Sequence, residues 1–356
     1  MTTSCAPAIV LPAGCLVALG LSLVPRGAAA QVSASIESQQ SGVSVRLQAV
    51  SVVSPRIVWA SGAGGTWVRT GDGGATWSSG VVPGADSLEF RDVHGFDARS
   101  AVLLAAGPGE RSRLYRTQDA GASWELVFTN RDPRAFFDCI DFKGSFGVAM
   151  SDAVDGRFPF LRTRNGGRAW EPYHPRGEDA VPALEGEGGF AASGTCVLAT
   201  DGGFRIATAV GGRVIQYSAR GAEAHQTPVV HGKPTAGVAT IAFRSPSVGV
   251  AAGGDLAVQD GYTDNVAVTR DGGRSWTLAA RPPFPGPIYG AAYTGTRSRA
   301  VLVVVGPRGA AWSADDAASW QPLAEGNYWG LGFAANGVGW LVGPAGSILR
   351  VELRNR

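Results

Sequence analysis

Thr70-Gly71-Asp72-Gly73-Gly74-Ala75-Thr76-Trp77 decides the fold, because the chain writes this eight-residue unit five times. The other copies are Thr117–Trp124, Thr163–Trp170, Thr269–Trp276 and Ser313–Trp320. All follow Ser/Thr-x-Asp/Asn-x-Gly-x-Ser/Thr-Trp, with Ala169 replacing one hydroxyl residue and Ala317 one glycine. The acidic or amide positions Asp72, Asp119, Asn165, Asp271 and Asp315 are spaced by 47, 46, 106 and 44 residues. The long gap holds two units, so one copy has decayed near Gln216–Gly221. A repeat of about 40–50 residues fits one four-stranded propeller blade.

Each letter has a physical reason. The Asp or Asn accepts hydrogen bonds from backbone N–H groups of the turn, and the glycine permits positive φ. Trp77, Trp124, Trp170, Trp276 and Trp320 then offer a large apolar face to bury beside the next sheet. Upstream of each turn lie a strand and a glycine-punctuated apolar stretch, as in Phe90–Phe96 and Val58–Arg69.

Matching all three parts gives seven units: 47–82, 90–129, 136–173, 188–229, 238–280, 289–323 and 328–353. The last ends before any turn, so its outer strand is expected from Val32–Ile36 or Val43–Arg46. That closure removes free sheet edges. The expected architecture is all-β, a single seven-bladed β-propeller of four-stranded blades spanning residues 31–356.

Composition agrees: 51 glycines, 45% hydrophobic residues and 17% charged residues suit short buried strands broken by turns. A net charge of +2 gives no global field for nucleic acid or anionic membrane. Only Lys143 and Lys233 of the basic residues are lysines. The apolar run Ala8–Val24, followed by Ala28-Ala29-Ala30-Gln31, reads as a signal peptide over residues 1–30. Export to the periplasm or beyond is expected, with membrane association only through a partner. A lipoprotein anchor at Cys15 is disfavoured, since Pro12 stands where a lipobox places Leu. In the mature chain Cys139 and Cys196 read as two small buried thiols, with a disulfide between neighbouring blades as the alternative. No Cys/His spacing suggests a metal site, so no metal or cofactor is expected.

Blades ending in an Asp-Gly-Gly-x-Ser/Thr-Trp turn resemble the photosystem II stability and assembly factor family, best over Val68–Trp77 and Val268–Trp276. The similarity covers nearly the whole mature chain. It implies a seven-bladed, non-catalytic protein that binds partners during assembly, and the reading adopted from the sequence is a monomeric scaffold for a protein partner or envelope complex. The same turn, the Asp-box or bacterial neuraminidase (BNR) repeat, also occurs in sialidases and other glycoside hydrolases. A fold shared so widely names no activity without a site.

Three sets of residues are candidates for that site. Sialidase chemistry needs an Arg-Ile-Pro element ahead of the boxes. Phe204-Arg205-Ile206-Ala207 lacks the proline and Pro55-Arg56-Ile57 has the wrong order. Aligning the first strands on Phe96 and Phe142 places Asp92 and Asp138 at matching positions beside the channel, where a glycosidase would keep paired carboxyls. Their alternative role is hydrogen bonding to channel backbone. Tyr289 and Trp329 share a register on the last two blades and would form a sugar or peptide platform. Arg69, Arg116 and Arg162 each precede the first box residue, and Arg350 matches them in the last blade. Strand alternation puts the four on one side of their sheets, as a basic stripe for acidic protein segments or as stems covering apolar surface.

Overall fold

Seven antiparallel sheets of four strands surround a central axis in the computed structural model, which describes residues 1–4 and 32–355. The expected signal segment, residues 1–30, lies almost wholly outside the described residues. Within each blade the chain runs outward from the axis. Blade one shows the pattern: Leu47–Val52 innermost, then Val58–Gly62, Thr66–Thr70 and Ser78–Val81. The inner strands of blades two to seven are Phe90–Gly95, Phe137–Lys143, Val197–Thr200, Ala236–Phe243, Gly290–Thr294 and Gly330–Phe333. They start on one face of the disc and end on the other, where the repeated turns lie.

The ring closes through the N-terminal strand Val32–Gln40, which pairs with Ser347–Asn355 from Val32↔Asn355 to Gln40↔Ser347. Of the two candidate segments, therefore, the first supplies the outer strand. In five blades the second strand is fully buried, as in Val301–Gly306, because a neighbouring blade covers each face, whereas that of blade four, Gly203–Ala207, keeps Arg205 half-buried. Trp59, Trp67, Phe90, Leu103 and Tyr115 fill one such interface, between blades one and two.

The turns are built as their letters demand. Asp119 Oδ1 accepts the Ser123 N–H at 2.9 Å and the Thr117 hydroxyl at 2.8 Å, while Oδ2 accepts the Ser123 hydroxyl at 2.6 Å. These bonds hold its pKa down at about 2. Thr117 Oγ1 in turn accepts the Gly121 N–H at 3.1 Å. The same net recurs at Asp72, Asp271 and Asp315. In the last turn Ala317 takes φ 64 where the other copies have glycine, so the net outweighs the steric cost of a side chain in that region. The tryptophans pack toward the preceding blade rather than the next. Trp124 meets Trp59 and Trp67, and Trp320 Nε1 donates to Ala280 O at 2.8 Å.

Two further expectations change. The fourth sheet begins at Val197, not Gly188. The residues before it form a strap, Glu187–Thr195, whose Ser193 reaches Tyr289 O across the ring and whose Gly194 lies against Asp92. Cys139 and Cys196 are bonded to each other, with Cα atoms 5.9 Å apart, and are not free thiols. Both are wholly buried, and the bond joins the inner strand of blade three to the strap's end.

Candidate binding surface on the fourth blade

Polar side chains of the inner strands stitch one blade to the next. Ser51 Oγ accepts the Gly95 N–H at 3.0 Å, Asp92 Oδ2 that of Ile140 at 2.7 Å, Asp141 Oδ2 that of Ala199 at 2.7 Å, and Thr240 Oγ1 that of Ala291 at 3.1 Å. Asp92 Oδ1 also accepts the Val93 N–H at 2.7 Å. It is 4% exposed, and burial pushes its pKa well up. Replacing Asp92 with alanine orphans two buried N–H groups, so the unfolding free energy should fall by about 3 kcal/mol in urea denaturation. A loss below about 0.5 kcal/mol, the range of neutral surface changes, contradicts the stitch.

Asp138 does not match Asp92. A β-bulge interrupts each inner strand, between Phe90 and Asp92 in blade two and between Phe137 and Cys139 in blade three. Asp138 therefore matches Arg91, and Asp92 matches Cys139. Alignment on Phe96 and Phe142 is one residue out, which in a strand changes the face. Asp138 is 2% exposed and lies beneath the strap. The two carboxyl groups do not line an open channel, because the strap fills it. Ser193 Oγ donates to Tyr289 O at 2.7 Å across the axis, and Ala191–Gly194 are buried.

Tyr289 and Trp329 do come together, with ring centroids 4.9 Å apart. Tyr289 is buried, however, and the Arg46 guanidinium lies 4.7 Å from the Trp329 centroid. The pair is packed between blades rather than presented as an open platform.

The four arginines occupy equivalent third-strand positions without forming a free stripe. Arg69 lies over Trp59 at 5.5 Å. Arg116 is buried, and its Nε donates to Gly166 O of the next blade's turn at 2.9 Å. Arg162 pairs with Glu171 at 2.7 Å over the Tyr173 ring, and Arg350 faces Glu352 at 3.8 Å. Three stems cover aromatic or turn surface, and two heads have carboxylate partners.

A different basic surface appears where the repeat has decayed. In blade four the third and fourth strands, Arg213–Ser218 and Gly221–Gln226, are joined by the two-residue turn Ala219-Arg220. No tryptophan or acidic turn fills the space beside it, and a cleft opens on either side. The cleft toward blade three, about 500 Å³, is lined by Lys143, Phe146, Arg164, Tyr173, Arg176 and Tyr217. The one toward blade five, about 310 Å³, holds Arg205, Arg220 and Arg274 with Glu223 and Asp271. Lys143 pairs with Asp201 at 3.6 Å, and Asp271 is engaged within its own turn. Arg164, Arg176, Arg205, Arg220 and Arg274 make no ion pair among the described residues. Arg176 and Arg274 donate to the backbone carbonyls of Ala219 and Asp271. Arg205 stacks on Phe243 at 4.3 Å and donates to Gly272 O at 3.3 Å, while its Nε is buried without a partner. Burial lowers the Arg205 pKa, and no carboxylate compensates it. Three of these guanidiniums, those of Arg176, Arg205 and Arg274, are held by ring or carbonyl contacts, which suits them to carboxylate or phosphate oxygens.

No family model matches the sequence, and no curated protein matches it. Solved structures do. "YCF48 bound to D1 peptide" is 16% identical over 88% of this chain and 96% of that one, with a TM-score of 0.62. YCF48 from Cyanidioschyzon merolae is 14% identical over 89% and 98%, with a TM-score of 0.61. The WD40 β-propeller domain of Doa1 is 11% identical over 90% and 97%, with a TM-score of 0.57. At these identities the likeness is one of fold, and it places the chain among the β-propellers.

Proposed function

We propose that the protein is an exported, monomeric, non-catalytic scaffold that holds an acidic segment of a protein partner against blade four, as an assembly or stability factor does. The observation that carries this reading is the set of five guanidiniums around the shortened turn without carboxylate partners. Asp201, Glu223 and Asp271 are the carboxylates in the lining, and the clefts keep an excess of positive charge that an acidic ligand offsets. The repeated turns, read as Asp-boxes, serve the ring. The one blade that lacks the turn is the one that exposes the charge. A YCF48 propeller captured with a D1 peptide supports peptide recognition by this fold. The carbohydrate readings relied on Asp92 with Asp138, which are both buried, and on Tyr289 with Trp329, of which Tyr289 is buried and Trp329 is half-buried with Arg46 over its ring.

The test is capture of the tagged mature protein from its native envelope, compared with the Arg205→Glu/Arg220→Glu/Arg274→Glu variant. One reproducible complex, lost in the variant and kept in Arg350→Glu, supports the reading. Equal recovery with both variants overturns it.

A further inference from the structure

Four of the five box tryptophans pack into the interface with the preceding blade. Trp77 joins residues of blades seven and one, Trp124 of one and two, Trp170 of two and three, and Trp320 of five and six. The fifth, Trp276, packs against the core that blade five shares with blade four. Blade four has no box tryptophan of its own to place against blade three. There the half-buried rings of Phe146 and Tyr173 lie against that same core, and the cleft of about 500 Å³ opens beside them. Blade seven, closed by the N-terminal strand in place of a hairpin, opens a cleft of about 450 Å³ toward blade six, with no aromatic side chain in its wall.

The chemistry of the blade-three cleft suits an aromatic guest. Tyr173 is ordered by Phe204 at 6.2 Å and by the Arg162 guanidinium at 4.7 Å, and the buried Tyr217 adds a third ring to the lining. Arg164 and Arg176 are exposed in the same wall, and guanidiniums favour the face of a ring. The blade-five cleft is different, with Arg205, Arg220 and Arg274 and no aromatic side chain. The two clefts are the two sides of one sheet: Tyr217 lines the first, Gln216 the second, and Ser218 both. Packed sheets lie about 10 Å apart, so a chain crossing the shortened turn from one cleft to the other needs about three extended residues at about 3.3 Å each.

We infer that the partner segment is bipartite: its carboxylates meet the blade-five cleft, and an aromatic residue about three positions away enters the blade-three cleft, on Phe146 and Tyr173. The partner's ring thus takes the place that the other hairpin blades fill with their own tryptophan. This rests on the reading of blade four as the site for an acidic segment, and it adds the feature by which one acidic segment is told from another.

Fluorescence anisotropy with the full protein and labelled synthetic peptides tests this. The probe is a run of aspartates, a Gly/Ser spacer of about three residues and a tryptophan, made in both sequence directions. One control has alanine for the tryptophan, and the other has asparagines for the aspartates. In at least one direction the tryptophan probe should bind at least about tenfold tighter than its alanine control, the smallest gain expected from burying an aromatic side chain. Phe146→Ala should remove most of that ratio while leaving the alanine control's affinity unchanged. Equal affinities of the tryptophan and alanine peptides in both directions overturn this inference and leave the acidic-segment reading standing, as does an unchanged ratio in Phe146→Ala. Binding no tighter with aspartates than with asparagines overturns both. Should Phe146→Ala fail to fold, Tyr173→Ala is read in the same way.

Discussion

Removing the Cys139–Cys196 bond, by reduction or by alanine at both positions, should lower the unfolding free energy by about 4 kcal/mol, the loop-closure value for this span. The two residues are 57 apart in sequence, and both are wholly buried. They sit among Met150, Phe158, Phe160, Phe204 and Ile206, where blade three meets blade four. Blade four contributes the shortened turn and its inner strand follows the strap, so this interface lacks the tryptophan found in five other blades. For a domain of this length the loss corresponds to a midpoint shift of about 6 °C, at about 2.1 cal/mol/K per residue. Denaturation of oxidised and reduced protein, with alkylation and mass measurement to count free thiols, checks it. Identical midpoints, or two free thiols before reduction, would contradict the assignment.

The second large effect is expected at the blade-four clefts. Reversing Arg205, Arg220 and Arg274 removes up to three charge-assisted contacts, each worth about 1.5–3 kcal/mol. It also places three anions against an acidic ligand. Affinity for the captured partner should fall at least about a hundredfold, since about 2.8 kcal/mol already gives that factor. Binding by the wild type should weaken steeply with added salt, mostly through the association rate. Arg350→Glu provides the comparison, because Arg350 already faces Glu352 and lies on the last blade. A drop of similar size there would point to net charge rather than a site.

The propeller was legible in sequence because one turn must satisfy strict local geometry. Thr70, Asp72, Gly74 and Thr76 form a closed hydrogen-bond net that few other residues complete, so the letters persist and set the period. Seven blades follow from that period, and closure follows from a last blade without a fourth strand. The site was less legible. Both inner strands carry the same bulge, but Phe142 lies inside its strand whereas Phe96 lies just past the end of its own, so aligning the two phenylalanines sets Asp138 one place out relative to Asp92. The equivalence of Arg69, Arg116, Arg162 and Arg350 is real as strand position, yet exposure depends on what the adjoining blade supplies, and Arg116 meets a carbonyl there. Arg205 entered only as part of a failed sialidase element, although it anchors the cleft facing blade five. The signal that pointed to it was an absence, the lost turn near Gln216–Gly221. The spacing showed that loss without saying that two clefts replace the turn. The strap was also hidden, because glycine and alanine before a strand read as part of the blade.

The most direct measurement uses the two lysines of the chain. Lys143 lines the cleft between blades three and four on the turn face, and Lys233 lies at the start of blade five's inner strand on the opposite face. Their side chains are similarly exposed, 53% and 54%, but Lys233 is held by the buried Asp255 whereas Lys143 pairs with the exposed Asp201, so labelling of the free protein by the same reagent sets the reference for each. An amine-reactive crosslinker applied to the partner complex should join the partner to Lys143 and leave Lys233 unjoined. Crosslinks through Lys233 with none through Lys143 would place the partner on the other face and contradict recognition at blade four.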